Sequence, residues 1–144
     1  MTLALDINPL LYASDTDSPF HPAAAAALTE LANGSELVYL FWPVAVGYVR
    51  LGTGSGIAHV ALTLDEAMGN VDRLLALPHF RTSAENSDFW SLFCRAAAEA
   101  QARSKLISDV HLVALMRQHG VRRILTHDRD FRKFDDIKVI DPFA

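Results

Sequence analysis

The sequence predicts an α/β fold in which a central parallel sheet is covered by helices on both faces. Short apolar runs alternate with longer helical stretches along the whole chain, and strands that alternate with helices form parallel sheets. Hydrophobic residues make up 51% of the sequence, which is enough for a substantial buried core. The 144 residues contain no repeat or linker, so we expect a single domain over residues 1–144.

Five short apolar runs are the predicted strands. Each is bounded by turn or helix-start residues, as expected of strands in an α/β sheet. Two of them are followed directly by acidic residues, which matters for the site discussed below. In chain order, the predicted strands are Leu3–Asp6, Leu37–Phe41, His79–Thr82, Arg122–Thr126 and Ile137–Ile140.

Helix-start signals follow the first two strands. Asn8 before Pro9 predicts an N-cap with proline at the first helical position. Pro22 begins an alanine-rich helix that ends at Gly34, and Pro43 begins the helix after the second strand. The helices therefore lie where crossover connections between parallel strands require them.

Three more helices are predicted in the second half of the chain. Thr63 and Glu66 form a capping-box pattern at the start of LDEAMGNVDRLLAL. The segment Asp88–Arg103 is predicted to be a longer helix. Ser108–His119 is predicted to be the last helix, with Gly120 as its C-terminal stop.

Composition excludes several kinds of site. The single cysteine, Cys94, excludes an internal disulfide and a multi-thiolate zinc site, and we expect it to be buried on an apolar helix face. No apolar run approaches the roughly 20 residues of a membrane span. Because the N-terminus also lacks the basic start of a secretory signal, we expect a cytoplasmic protein without membrane contact.

Charge is distributed unevenly along the chain. The net charge is −4, but residues 1–72 contain one basic residue and eight acids, whereas residues 73–144 contain twelve basic residues and nine acids. A basic face beside a metal ion would allow an acidic protein to bind phosphate. A solvated surface of mixed charge explains the same pattern equally well.

Acidic residues at three places are candidates for chemistry. Asp6 ends an apolar strand, where a carboxylate is costly unless it is paired, hydrogen-bonded or metal-bound. Asn8 is better placed than Asp6 to cap the next helix. Asp109 opens a helix, where an acid is ordinary. Asp128 and Asp130 follow the fourth strand, and turn chemistry explains one of them better than both.

These acids are expected to meet at one edge of the sheet, because ligands of such sheets bind beyond the carboxyl ends of the strands. Converging carboxylates repel one another and raise each other's pKa. A hard divalent cation removes that conflict, and Mg²⁺ and Mn²⁺ both prefer oxygen ligands. The sequence therefore predicts a Mg²⁺ or Mn²⁺ site.

A set of ordered motifs resembles a known family. The motifs DINPLLYA, WPVAVGYVRL, LISDVHLVAL, ILTHDRDF and the closing KVIDPF, in this order, resemble PIN domains and, more narrowly, the VapC toxins of bacterial toxin–antitoxin pairs. The resemblance covers nearly the whole chain. It implies a three-layer α/β/α fold and a Mg²⁺- or Mn²⁺-dependent endoribonuclease that cleaves RNA such as tRNA or rRNA. It also implies a homodimer and inhibition by a cognate VapB-type antitoxin.

The resemblance also assigns roles to individual residues. It implies that Asp6, Asp109 and Asp128 are the catalytic, metal-binding acids, and Asp130 is a nearby extra carboxylate that could also bind the metal. Thr126 and Arg50 match positions that are expected to contact the substrate.

One position departs from the family pattern. Many members carry a glutamate three residues before the arginine of the middle helix, and this chain has Gly47 there. A glycine in a helix interior costs roughly 1 kcal/mol relative to alanine, so it is not a passive replacement. A branch of these toxins with tryptophan-proline at the helix start also lacks the glutamate. We interpret Gly47 as a natural variant that leaves the metal affinity open.

Other signals have structural explanations. The glycine-rich stretch Gly52–Gly56 lacks the lysine of a phosphate-binding loop and follows a helix, so we expect a flexible loop. His127 is expected to be a surface turn residue, although it is close enough to Asp128 to touch substrate. The aromatic residues Trp42, Trp90, Phe89 and Phe93 are expected in the core or at a dimer surface.

Two alternative functions remain open from the sequence. A phosphatase of the haloacid dehalogenase type also places an aspartate after its first strand, but it requires a second aspartate where this chain has Asn8, and its later lysine is unmatched. The other alternative is a PIN module that binds RNA or a partner but has lost catalysis with the missing glutamate.

Overall fold

A computed structural model describes residues 2–54 and 61–143 of the chain. Five strands and six α-helices alternate within them, and a short 3₁₀ helix precedes the last strand. In chain order the elements are β1 Thr2–Leu5, α1 Ile7–Ser14, α2 His21–Asn33, β2 Leu37–Tyr39, α3 Trp42–Thr53, α4 Leu64–Leu75, β3 Phe80–Arg81, α5 Phe89–Glu99, α6 Leu106–Gln118, β4 Arg123–Leu125, the 3₁₀ helix Arg129–Lys133 and β5 Lys138–Ile140. Among the described helices, none has the length and apolar character to cross a membrane.

The strands form one parallel sheet in the order β3-β2-β1-β4-β5. The chain first moves outward from β1 through β2 to β3, and then returns to β4 and β5 on the other side of β1. Because crossovers between parallel strands are right-handed, α1 to α4 cover one face, and α5 and α6 cover the other. The predicted three-layer α/β/α architecture is confirmed.

The core lies on both faces of the central strands. Residues Leu3, Ala4 and Leu5 of β1 are each 2% exposed or less, as expected for a strand covered on both sides. Helix α6 has an unbroken buried run from Leu112 to Met116, so it is enclosed on most of its circumference. The 3₁₀ helix contributes Phe131 to the core, where this side chain is fully buried.

Several predicted boundaries differ from the observed ones. The helix predicted over Asp88–Arg103 ends at Glu99, because Gln101 and Ser104 adopt positive φ angles of 47° and 55° that interrupt it. The capping box at Thr63 is confirmed. Cys94 is exposed rather than buried, because it lies on the outer side of α5. In the predicted loop Gly52–Gly56, residues 52 and 53 belong to α3, residue 54 follows it, and residues 55 and 56 lie outside the described part of the chain.

Gly47 lies in the interior of α3 and faces Ile7, the first residue of α1. A Cβ atom placed on Gly47 would lie 2.6 Å from the Cδ1 atom of Ile7. Real Cβ atoms do not approach a carbon atom this closely, so a side chain here requires Ile7 to move. The glycine thus allows α1 and α3 to pack together directly behind Asp6.

We expect Gly47→Ala to destabilise the protein by about 1 kcal/mol, although the same change in an unobstructed helix stabilises by a similar amount. Gly69→Ala in α4 is the matched control, because a Cβ there would meet only the Nη1 atom of Arg73, at 3.6 Å. Ile7→Val lacks the obstructing Cδ1 atom and should rescue Gly47→Ala. Urea denaturation of the single and double variants measures these changes. Equal stabilisation by Gly47→Ala and Gly69→Ala would contradict the explanation.

Candidate metal centre

The candidate site lies at the carboxyl ends of β1 and β4, which are neighbours in the sheet. The connection that follows β1 leads toward β2, whereas the one that follows β4 leads toward β5, so the chain departs in opposite directions. A crevice forms at such a switch point, and α/β proteins bind ligands there. Asp6 follows β1 directly, and its amide donates a hydrogen bond to the carbonyl oxygen of Leu125 in β4 at 3.2 Å.

Asp6 is held by two hydrogen bonds. Its Oδ1 atom accepts from the amide of Ile7 at 2.8 Å, and its Oδ2 atom accepts from the hydroxyl of Thr126 at 2.7 Å. Asp6 is therefore the N-cap of α1, so the prediction that Asn8 caps this helix is wrong. The reason is geometric, because the helix begins immediately after the strand and Asn8 is already its second residue.

Thr126 connects the two strand ends. Its hydroxyl donates to Asp6 and accepts from the amide of Asp128 at 2.9 Å, and the residue is fully buried. Since this hydroxyl faces the interior, it is not exposed to a substrate, in contrast to the expected contact. Its position suits a different task, which is to fix Asp6 relative to Asp128.

Three carboxylates cluster in front of this connection. Oxygen atoms of Asp109, Asp128 and Asp130 all lie within 4.8 Å of one another. Asp109 reaches the cluster from the first turn of α6, and Asp128 caps the 3₁₀ helix by accepting from the amide of Asp130 at 2.9 Å. The Nζ atom of Lys133 lies 3.7 Å from Asp130, at the outer side of the cluster.

Asp6 stands beside this cluster rather than within the group of three. Burial and then the charge of Asp128 raise the pKa of Asp6, and burial and then the charges of Asp128 and Asp6 raise the pKa of Asp109, so Asp6 lies near both of these acids. The structure therefore brings together the four acids singled out in the sequence, from three distant segments of the chain. Three of these acids form the cluster, and Asp6 is a more deeply buried neighbour.

Burial and mutual repulsion perturb the protonation of these acids. Burial first, and then the charges of Asp128 and Asp6, raise the pKa of Asp109 to about 8. Burial also raises the pKa of Asp6, while the hydrogen bonds from Thr126 and Ile7 oppose that rise. The folded protein therefore favours the protonated form of Asp109 more strongly than the unfolded chain does.

The donor set fits a hard divalent cation. All the donors are carboxylate oxygens, and they are close enough together for one ion to contact several of them. A cation of Mg²⁺ or Mn²⁺ type offsets the repulsion that raises these pKa values. Asp109, Asp128 and Asp130 are the residues that would hold it, with Asp6 adjacent.

The remaining candidates lie outside the cluster. Arg50 is exposed in the last turn of α3 and makes no ion pair or side-chain hydrogen bond with any other described residue. At Gly47, the position where the sequence departs from the expected glutamate, Ile7 occupies the space beside the helix. The ring Nδ1 of His127 lies 3.0 Å from the Oδ2 atom of Asp141, so His127 is not a free turn residue.

Sequence reasoning missed Asp141, although a signal was present. Asp141 follows β5, which is the parallel strand next to β4, so it obeys the same rule that identified Asp6 and Asp128. Its side chain is only 8% exposed. The closing motif KVIDPF contained this acid, but the sequence did not reveal that β5 lies beside the site.

Comparison with known proteins identifies the family. The PIN domain model matches residues 3–137. The chain belongs to the PIN domain family. Within this family, Ribonuclease VapC48 of Mycobacterium tuberculosis is 40% identical over 144 residues, which cover 100% of this PIN domain and 99% of that protein. Ribonuclease VapC37 of the same species is 28% identical over 97% of this chain and 96% of its own.

Solved PIN-domain structures share the fold. VapBC2 from Rickettsia felis, bound to a DNA fragment from its promoter, gives a TM-score of 0.71 at 11% identity, with 98% of both chains covered. VapC20 of Mycobacterium tuberculosis, a toxin that cleaves the sarcin–ricin loop, gives a TM-score of 0.67 at 15% identity, with 90% of this chain and 92% of that chain covered. The interpretation as a haloacid dehalogenase-type phosphatase is wrong, because the PIN domain model matches residues 3–137.

We expect Asp109→Asn to stabilise the metal-free protein at pH 8 by about 1 kcal/mol, because it removes a carboxylate that the folded state resists ionising. The pKa of this group is higher in the folded chain, at about 8, than its ordinary value of 3.8. The wild type should therefore lose stability relative to the variant as pH rises from about 4 to 8. Thermal melts in EDTA at several pH values measure this difference.

When Mg²⁺ or Mn²⁺ is added, the wild type should become more stable than Asp109→Asn, since the cation stabilises the wild type more than the variant. Asp72→Asn, an exposed change on α4, is the control and should alter neither melt. If the cation leaves the melting temperature of the wild type unchanged at every pH, the proposed metal centre is contradicted.

We expect Thr126→Val to destabilise the protein by about 1–3 kcal/mol, because the buried Oδ2 atom of Asp6 loses its donor and the amide of Asp128 loses its acceptor. Thr126→Ser keeps the hydroxyl and is the matched control, although it also removes a buried methyl group. Denaturant unfolding of both variants separates the two effects. If Thr126→Val leaves the free energy of unfolding unchanged, the hydroxyl bridge contributes nothing.

Proposed function

We propose that this protein is the toxin of a toxin–antitoxin pair and that it acts as an endoribonuclease with Mg²⁺ or Mn²⁺. The observation that supports this most strongly is the carboxylate cluster of Asp109, Asp128 and Asp130 at the switch point of a PIN fold. The full-length relative at 40% identity, Ribonuclease VapC48, carries a name that states this activity.

The chain's own residues have distinct tasks in phosphodiester hydrolysis. A divalent cation held at this site would supply an activated water molecule and stabilisation of negative charge on the phosphate oxygens. Asp109 would serve as one of its ligands in the carboxylate form, after release of its proton to solvent. Asp128 is held in place by the turn that it caps, and Thr126 keeps Asp6 at a fixed position beside the cluster.

The substrate is single-stranded or looped RNA, and loops of tRNA or rRNA are the natural targets. Unpaired nucleotides expose both their bases and their backbone, whereas a regular RNA duplex hides the base edges in a deep groove. The exposed guanidinium of Arg50 is available to contact the phosphate backbone on the α3 side. VapC20, which has the same fold, cleaves the sarcin–ricin loop, which is a looped RNA of this kind.

A VapB-type antitoxin is the proposed protein partner. Two solved structures with this fold, from Rickettsia felis and nontypeable Haemophilus influenzae, are VapBC assemblies. An open apolar cavity of about 440 Å³ lies beside α1, α2 and α4 and includes Leu10, Leu28 and Leu74 in its lining. A cavity between helices of this kind suits the apolar face of an amphipathic helix.

The protein is also proposed to form a homodimer. Trp90 is 68% exposed and Trp42 is 44% exposed, so neither belongs to the core of the single chain. Exposed aromatic side chains are typical of protein interfaces. Sedimentation of the purified protein over a range of concentrations measures its oligomeric state.

We expect the purified protein to cleave total bacterial RNA in Mn²⁺ or Mg²⁺ and to lose activity in EDTA. Asp6→Asn, Asp109→Asn and Asp128→Asn should each reduce the cleavage rate by about 100-fold, because each removes a negative oxygen from the site. Asp72→Asn is the control, since it removes an equal charge from an exposed position on α4. Denaturing gels and primer extension measure the cleavage.

The outcomes distinguish the two open functions. Equal cleavage by all the variants would reveal a contaminating nuclease and contradict the site. RNA binding without cleavage at any Mg²⁺ or Mn²⁺ concentration would favour the PIN module that has lost catalysis. Growth arrest on expression of the wild type, but not of Asp6→Asn, would support the toxin.

A further inference from the structure

Four aromatic rings form a compact group beside the candidate metal centre. We call the rings of Tyr12, Phe20, His127 and Phe143 the four-ring cluster. All six pairs of rings are in contact distance, with centroids 4.9 to 6.5 Å apart. The residues come from three segments, namely α1 with the connection to α2, the turn after β4, and the C-terminal segment after β5.

The four-ring cluster is not part of the main core. Among the described residues, the continuous core of the protein does not include Tyr12, Phe20 or Phe143. Each of the four residues remains partly accessible to solvent. The cluster is therefore a half-buried aromatic group at the same end of the sheet as the acids.

Asp141 orders one side of the four-ring cluster. Its Oδ2 atom pairs with the Nδ1 atom of His127 at 3.0 Å, and its Oδ1 atom accepts from the amide of Phe143 at 2.9 Å. A nearly buried carboxylate thus fixes a ring from the turn after β4 and a ring from the C-terminal segment at once.

The connection between α1 and α2 orders the other side. The Nδ1 atom of His21 lies 3.0 Å from the carbonyl oxygen of Tyr12, and the hydroxyl of Ser18 accepts from the amide of Phe20 at 3.1 Å. The rings are consequently in place before any ligand arrives, so a ligand need not order them.

The four-ring cluster adjoins the acids directly. His127 lies between Thr126, which bonds to Asp6, and Asp128, which belongs to the carboxylate cluster. Burial, and then the nearby charges of Asp141, Asp6 and Asp128, raise the pKa of the Tyr12 phenol, so this ring lies close to the acids.

We infer that the four-ring cluster stacks an unpaired base of single-stranded RNA next to the phosphodiester bond that is cleaved. This inference rests on the proposed ribonuclease function and deepens it. The acidic site repels RNA phosphates, so an uncharged surface beside it adds to the attraction from the cation and from basic side chains such as Lys133 and Arg50. Aromatic faces supply it, because every base has a π-face that stacks on them regardless of sequence.

A purely structural role for the rings makes a different prediction. The four-ring cluster also fastens the C-terminal segment to α1 and α2, so removal of a ring lowers stability in either case. Only base stacking makes the effect of a ring depend on the presence of a base in the substrate. The test therefore measures coupling between protein and RNA changes.

The experiment uses a short single-stranded RNA that contains a cleavage position mapped in total RNA. Two further oligonucleotides carry an abasic ribose on one or the other side of the cleaved bond. The proteins are the wild type, Tyr12→Leu, Tyr12→Phe and the control Phe93→Leu. Phe93 is a half-buried ring on α5 that stacks on Trp90. Phe93→Leu therefore removes a comparable amount of aromatic packing, but on the face of the sheet opposite to Tyr12.

For the wild type, one of the two abasic oligonucleotides should have a kcat/KM about tenfold lower than that of the intact RNA, mainly because KM rises. Tyr12→Leu should lower kcat/KM about tenfold on the intact RNA and show no further loss on that abasic RNA. Tyr12→Phe keeps the ring and should retain the response of the wild type to the abasic site. Phe93→Leu should respond to the abasic site as the wild type does.

Each contrary result has a defined meaning. If the losses from Tyr12→Leu and the abasic site multiply, or if neither change has an effect, the ribonuclease function stands and this inference is wrong. If Tyr12→Leu leaves cleavage unchanged but weakens inhibition by the co-encoded antitoxin, the cluster is a protein-docking surface and the inference is again wrong. If the wild type neither cuts nor binds the RNA, the proposed function itself fails.

Discussion

The fold brings together negative charges that repel one another, and much of the local structure serves to hold them in place. Asp109, Asp128 and Asp130 have oxygen atoms within 4.8 Å of one another, and Asp6 lies beside them. Such an arrangement is unfavourable unless it is protonated or neutralised by a cation. The rigid parallel sheet keeps the strand ends fixed, so the acids cannot move apart to relieve the repulsion.

The supporting hydrogen bonds explain how one small domain maintains this geometry. The hydroxyl of Thr126 joins the acid after β1 to the turn after β4, and it does so from a fully buried position. Asp6 and Asp128 each also cap the element that follows them. For Asp128, capping and metal binding are compatible roles, because a carboxylate has two oxygens and the cap uses only its Oδ1 atom.

The packing behind Asp6 depends on a glycine in the middle of α3. Ile7 fills the space next to Gly47, so an apolar contact joins α1 and α3 at this position. The carboxylates in front of it are then supplied by one sheet edge and one helix start. Asp130 is the acid that completes the group of three clustered carboxylates, and it comes from the same turn as Asp128.

The sequence by itself determined the fold class, the five strands, most of the helices and the four acids, because apolar periodicity and capping residues are local signals. It misassigned the N-cap of α1, since Asp6 and Asn8 are both good capping residues and only the abrupt end of β1 decides between them. It also gave no sign that Thr126 faces inward or that Ile7 touches Gly47. The order of the strands decided those contacts, as it decided that Asp141 and three distant rings lie beside the acids, because strand neighbours are set by long-range packing and not by adjacent residues.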